Sequence, residues 1–269
     1  MTEVRTGVRI MGIINVTPDS FSDGGRYCTL DGIVAQADAL VAAGADLLDV
    51  GGESTRPFAL PVSEEEELRR VVPAIVAIRK KYSLPISIDT CKAEVARQAL
   101  MAGADMINDV SALRHDPAMI DLVRTSTVPV VIMHMQKTPG DMQVEPYYQD
   151  VVGEILDFFR ERLSWLRAQG VDCRRIILDP GIGFGKTLSH NLLILKKLSA
   201  FSALGQPVLL GHSRKRFLGN ITGRQEGERD LATAVVSALA VMQGVSIVRV
   251  HDVASSKQAI QIAEAIDAV

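Results

Sequence analysis

The chain has 269 residues, of which 47% are apolar and 23% charged, with a formal net charge of −3. The length suits one large domain, and the slightly acidic balance gives no global support to a nucleic-acid or anionic-membrane surface, so any anion site must be a local basic cluster. The three cysteines, Cys28, Cys91 and Cys173, are odd in number and widely spaced, which points to reduced thiols in a cytoplasmic protein rather than a disulfide framework or a zinc site. The opening MTEVRTGVRI lacks the apolar core of a signal peptide, and no run of about 18 apolar residues marks a membrane span.

Eight short apolar runs recur, each stopping at a polar residue. RIMGIIN ends at Asn15, DLLD at Asp49, ISID at Asp89 and MIND at Asn108 and Asp109. VVIMH ends at His134, IILD at Asp179, VLLGHS at Ser213 and IVRVH at His251. The mean step is about 34 residues, the repeat of one strand plus one helix, and continuous apolar runs suit parallel strands buried on both faces.

Helix patterns fill the gaps. Residues 29–43 carry a stripe of Ile33, Val34, Ala37, Leu40 and Val41 and stop at Gly44. A second helix opens at Ser63 with Glu66 three residues on, a capping box, and residues 64–67 form a solvated acidic first turn. Further helices are expected over 93–101, about 116–124, 150–169, 189–198, 228–242 and 255–269. The sum is an α/β chain folded as a single (β/α)8 TIM barrel over 1–269, with its active face at the carboxyl ends of the strands. Long connections over 17–29 and 51–62, after strands one and two, and over 135–148 lie on that face and are expected to be mobile or functional.

Basic residues cluster where barrels often bind phosphate, after strands seven and eight. Ser213, Lys215, Arg249 and His251 are there, and alternation puts Arg249 and His251 on one side of their strand. The plainer alternative is a basic surface with a core histidine. Asp89, Asn108 and Asp179 end strands three, four and six. They form an acceptor ring suited to a ligand edge rich in N–H donors, or they cap the following helices. Asp49 and Asp109 read as mainly structural.

DPGIGFGKT fails as a phosphate loop of the Walker type, because Pro180 stands where that motif needs glycine. It reads as a tight turn that lets a planar ligand approach the backbone, with Phe184 either covering the ligand or packing in the core. His134 reads as a hydrogen-bonded structural histidine and Met133 as core. Cys91 lacks a general-base partner.

GIINVTPDSFSDGG (12–25) closely resembles one family, the dihydropteroate synthases of folate biosynthesis. GGESTRP (51–57), SIDT (87–90), NDVS (108–111), HMQ (134–136), DPGIGFGK (179–186), SRK (213–215) and RVHDV (249–253) follow in that family's order. The resemblance runs from about residue 8 to 254 and implies one pterin-binding barrel domain. It also implies a reaction: 6-hydroxymethyl-7,8-dihydropterin pyrophosphate and p-aminobenzoate give 7,8-dihydropteroate and pyrophosphate.

By the same resemblance Asp89, Asn108, Asp179 and Lys215 hold the pterin, with Met133 and Phe184 near the ring. Asn15 coordinates Mg2+ together with the pyrophosphate, which Arg249 and His251 bind. Phe21, Thr55, Arg56, Pro57, Ser213 and Lys215 shape the p-aminobenzoate pocket. Loops carrying Phe21, Asp23 and Arg56 close it, so Asn15, Asp23, Arg56, Lys215, Arg249 and His251 form the catalytic set. A homodimer and sensitivity to sulfonamides are implied as well. A methyl-transfer domain serving a corrinoid protein has no use for the basic cluster or the TRP loop. A binding-only subunit does not need Asn15, Arg249 and His251, and a sugar-phosphate barrel enzyme leaves the acceptor ring unexplained.

Overall fold

The computed structural model describes residues 7–17, 29–55, 59–138 and 140–269. Its strands are β1 (Arg9–Asn15), β2 (Leu47–Gly51), β3 (Ile86–Asp89), β4 (Met106–Asp109), β5 (Val130–Met133), β6 (Ile176–Asp179), β7 (Leu209–Leu210) and β8 (Ile247–Val250). They pair in parallel in the order β6-β5-β4-β3-β2-β1-β8-β7. A parallel bridge from Leu178 to Val208 closes the ring between β6 and β7. Outside it run α1 (Leu30–Ala43), α2 (Glu64–Lys81), α3 (Ala93–Met101), α4 (Met119–Thr125), α5 (Val151–Ala168) and α6 (Leu188–Lys196). The set continues with the short α7 (Ser199–Ser202), then α8 (Arg216–Thr222), α9 (Asp230–Val241) and α10 (Val253–Asp267). This is a (β/α)8 TIM barrel.

Register assigns every strand's inner face at once. Met11 pairs with Leu47, Asp49 with Ser87, Ser87 with Met106, Asn108 with Val131, and Val131 with Ile177. On the other side Met11 pairs with Arg249. Paired residues in a parallel ladder share a face, and alternate residues along a strand share it too. Met11, Leu47, Met106, Val131, Ile177, Leu209 and Ile247 therefore meet inside the ring as one buried apolar cluster. The opposite faces, with Ile14, Leu48, Val50, Ile88, Ile107 and Val248, pack with the helices in the main core.

Local signals explain several helix ends. The Thr29 hydroxyl accepts from Gly32 N at 3.2 Å to start α1, and Gly44 ends it at φ 95°, a left-handed geometry that glycine adopts without a Cβ penalty. Ser63 caps α2 by accepting from Glu66 N at 3.2 Å. The Glu66 carboxylate turns to Arg70 at 2.8 Å instead of back to the cap, so only half of the expected capping box forms. Glu67 overturns the solvated reading of that first turn, because it is fully buried. α4 begins at Met119, after Asp116 has used its carboxylate on Ala93 N and Ala118 N. α8 was not expected, and β7 ends three residues before Ser213. The connection over 135–148 is anchored at a few points: Met135, Met142 and Tyr148 are buried, and the Tyr148 hydroxyl donates to Gly185 O at 3.0 Å. Among the described residues no helix is long and apolar enough to cross a membrane.

Candidate active site

Two residues beyond the apolar filling, the inner wall turns polar. Asp49 follows Leu47 in phase and is fully buried. Its Oδ2 accepts from Arg249 Nε at 2.6 Å and from Asn108 Nδ2 at 3.2 Å. Arg249 Nη2 donates to Asp89 Oδ2 at 2.8 Å. One guanidinium on β8 thus ties β2 and β3, and Asp49, read from sequence as mainly structural, is the link between Arg249 and Asn108. The missed signal was alternation, since Asp49 stands two residues past an inward leucine.

Burial pushes the Asp89 carboxyl up to about 7; Arg249 opposes that rise and Asp49 adds to it. Burial works against the Arg249 charge, yet Asp49 and Asp89 together carry the guanidinium above its ordinary value. Asp89 and Asn108 aim into the barrel mouth, so neither is spent as a helix cap.

Asp179 serves both a turn and the mouth. Its Oδ1 accepts from Gly181 N at 2.8 Å, and a side chain at Gly211 would meet Oδ2 at 3.5 Å. Burial raises the Asp179 carboxyl, against the Gly181 amide and the ammonium groups of Lys215 and Lys186. The turn needs glycine at Gly181, whose φ is 71° and whose Cβ would lie 2.0 Å from His134 O. Phe184 is buried with Val110, Met133, Met135 and Met142, and the Lys215 ammonium stands 3.8 Å from its ring centroid. Phe184 thus packs in the core with the Lys215 ammonium over its ring. Enclosure lowers Lys215 to about 7; Asp179 and Asp89 pull the other way, and Arg249 adds to the lowering.

Lys186 was overlooked. It is only 4% exposed, and its ammonium donates to Phe184 O at 2.9 Å and His134 O at 3.3 Å, with His134 Nδ1 at 3.2 Å. Burial, against Asp179 and helped by Lys215, lowers it to about 7. Burial, then Lys186 and Arg114, lowers His134 to about 2, so its imidazole is neutral and structural. The FGKT run carried the signal, because a lysine inside a glycine turn at a strand end has few exits to water.

On the other side of the mouth, Ser213 Oγ lies 2.9 Å from His251 Nδ1 and accepts from His251 N at 3.1 Å. Asn15 is half-buried at the carboxyl end of β1, paired with Gly51, and Thr55 is half-buried beyond β2. Phe21, Asp23, Arg56 and Pro57, with the rest of 18–28 and 56–58, lie outside the described residues. Burial pushes the Cys91 thiol well above its usual range, which opposes a nucleophilic role.

The family described as pterin binding enzyme matches residues 11–251. The dihydropteroate synthase of Synechocystis is 45% identical over 258 residues, 96% of this chain and 89% of the relative. The chain belongs to the dihydropteroate synthases. The crystal structure of that synthase from Yersinia pestis, in a sulfonamide drug complex, superposes with a TM-score of 0.94 at 41% identity, covering 98% of this chain and 95% of the other. The synthase from Xanthomonas albilineans, with 4-aminobenzoic acid, gives 0.92 at 48% identity, with 98% and 94% covered. Dihydropteroate synthases are transferases of folate biosynthesis, and the polar ring described above stands at the carboxyl face where barrel enzymes hold their chemistry.

Proposed function

We propose that this chain joins 6-hydroxymethyl-7,8-dihydropterin pyrophosphate to p-aminobenzoate, releasing pyrophosphate and 7,8-dihydropteroate. The observation that carries the reading is the convergence of buried Asp49, Asn108 and Asp179 with half-buried Asp89, Arg249 and Lys215 at one barrel mouth, in a chain of this family. Asp89, Asn108, Asp179 and Lys215 read the pterin edge, with Met133 and Phe184 against the ring. Because Asn108 and Asp179 are buried and Asp89 and Lys215 half-buried, an analogue with the wrong edge leaves them unpaired, which is the usual source of sharp selectivity.

Arg249 and His251 bind the pyrophosphate. Arg249 is oriented by Asp49 and Asp89 before any substrate arrives, and donors aimed in advance at developing charge need no reorganisation during the reaction. Asn15 would hold Mg2+ jointly with the pyrophosphate. Its neutral carboxamide fits a hard cation that keeps several waters and takes the rest of its ligands from phosphate oxygens; among the described residues no group of three or more His, Cys, Asp or Glu competes for it. When bound, the cation neutralises charge on the leaving group.

The pterin methylene–oxygen bond then breaks with little nucleophilic help, giving a pterin-stabilised cation while Arg249 and His251 donate to the departing oxygens. Thr55, Arg56, Pro57, Ser213 and Lys215 shape the p-aminobenzoate pocket. The segments carrying Phe21, Asp23 and Arg56 close it and keep out water that would trap the cation. The arylamine attacks without a strong general base.

Ser54, Thr55, Arg56 and Pro57 run uninterrupted, which supports competitive inhibition by sulfonamides at concentrations comparable to p-aminobenzoate. A homodimer completes the reading, supported by the exposed apolar row Leu231, Val235, Leu239 and Met242 on and just beyond α9, in the cytoplasm that the odd, widely spaced cysteines suit. The test is pyrophosphate release from dihydropterin pyrophosphate and Mg2+, with and without p-aminobenzoate. Release that rises with p-aminobenzoate and yields dihydropteroate is expected. Pterin binding without release would indicate a binding subunit or a methyl-transfer domain instead.

A further inference from the structure

Lys92 opens α3, three residues beyond Asp89, and its ammonium lies between carboxylates from two other elements. It donates to Glu67 Oε2 of α2 at 2.5 Å and to Glu53 Oε2 in the connection after β2. The second Glu53 oxygen accepts from Val62 N at 3.3 Å. Residue 53 leaves the strand and residue 62 leads into α2, so one carboxylate ties both ends of the segment that carries Thr55. Arg70 adds a third tie, from Nη1 to Gly52 O at 2.7 Å. The approach is close, since a Cβ at Gly52 would meet Val71 at 2.7 Å and Glu67 at 3.0 Å.

The cluster is an uneven one for stability alone. Two carboxylates share one ammonium, the Glu67 side chain is 1% exposed, and its Oε1 has no hydrogen-bond partner among the described residues. Burying such charge is costly, and its best-attested use is to specify one geometry. Burial works against the Lys92 charge, but Glu53 and Glu67 outweigh it and hold the ammonium protonated.

We propose that Lys92, with Glu53 and Glu67, is a positioning cluster that fixes the p-aminobenzoate segment after β2 against the pterin-reading end of β3. The inference rests on the assignment of Thr55 to the p-aminobenzoate pocket. None of the three side chains is assigned a substrate contact; they act through the backbone of residues 52–55 and 59–62, where a small misplacement is enough to cost binding of the second substrate.

The experiment measures KM for each substrate and thermal midpoints for wild type, Lys92→Met, Lys92→Arg and Glu53→Gln. Lys92→Met is expected to raise KM for p-aminobenzoate about tenfold or more, with KM for dihydropterin pyrophosphate changed less than about twofold. Lys92→Arg is expected to recover most of that loss. Glu53→Gln, at the partly exposed end of the cluster, tolerates folding if Lys92→Met does not, and is expected to show the same split at smaller size. An unchanged KM for p-aminobenzoate in the folded variants, or equal rises in both KM values, overturns the proposal. A wild-type protein that releases no pyrophosphate overturns the synthase reading, which is a separate failure read before any variant is compared.

Discussion

The inner wall of the barrel holds two layers built by the same strands. Leu47 is followed by Asp49, Met106 by Asn108, Ile177 by Asp179 and Ile247 by Arg249. The lower members form one apolar cluster, while Asp49, Asn108 and Arg249 of the upper set form one hydrogen-bonded group with Asp89. The layers are separated by two residues of strand, about 7 Å. Below, burial removes apolar surface from water and stabilises the fold. Above, burial strips water from charges, which costs stability and strengthens every electrostatic interaction a substrate will meet. One barrel thus divides stability and chemistry along its axis.

Substitutions can break that division from either side. Arg249→Ala removes the cation that organises the upper layer. Turnover per folded molecule is expected to fall about 10²–10³-fold, with a smaller change in pterin affinity, read from single-turnover kinetics and direct binding of dihydropterin pyrophosphate. Unchanged turnover would remove Arg249 from the mechanism. Leu47→Ala strikes the lower layer. It is expected to lose about 2–5 kcal/mol of unfolding free energy in urea, with both KM values within about twofold of wild type. A large KM change there would show that the two layers are not separable.

The smallest effect concerns Lys186, beneath the glycine turn of β6. Its ordinary value is 10.5 and the folded value about 7. Between those limits the unfolded chain binds more protons than the folded one, so this group makes stability rise with pH across the window. The slope is at most about 1.4 kcal/mol per pH unit. Lys186→Met should show a shallower rise than wild type between about pH 7.5 and 9.5 by denaturant titration. Identical pH responses in the two proteins would mean that Lys186 is not held partly neutral in the fold.

Much of the molecule was legible in the chain. The eight apolar runs, the Ser63 cap and the stop at Gly44 follow from periodicity and backbone preference, which act within a few residues. Repeating strand and helix then leaves a closed barrel as the arrangement that covers both faces of every strand. The ordered motifs from GIIN to RVHDV placed Asn15, Asp89, Asn108, Asp179 and Arg249 at or near strand ends and named the family.

Tertiary structure alone decided which charges meet. Arg249 and Asp49 stand 200 positions apart and become partners only when β8 pairs with β1 and closes the ring. Glu67 lies in an acidic run that looks solvated, yet it is buried because Lys92, arriving from the next βα unit, supplies its counter-charge. Lys186 sits under its turn because His134 comes from the neighbouring strand. In each case the local pattern is the same for a solvated and a buried charge. The difference is the free energy of burying it, and that depends on a partner that only the packing of separate βα units delivers.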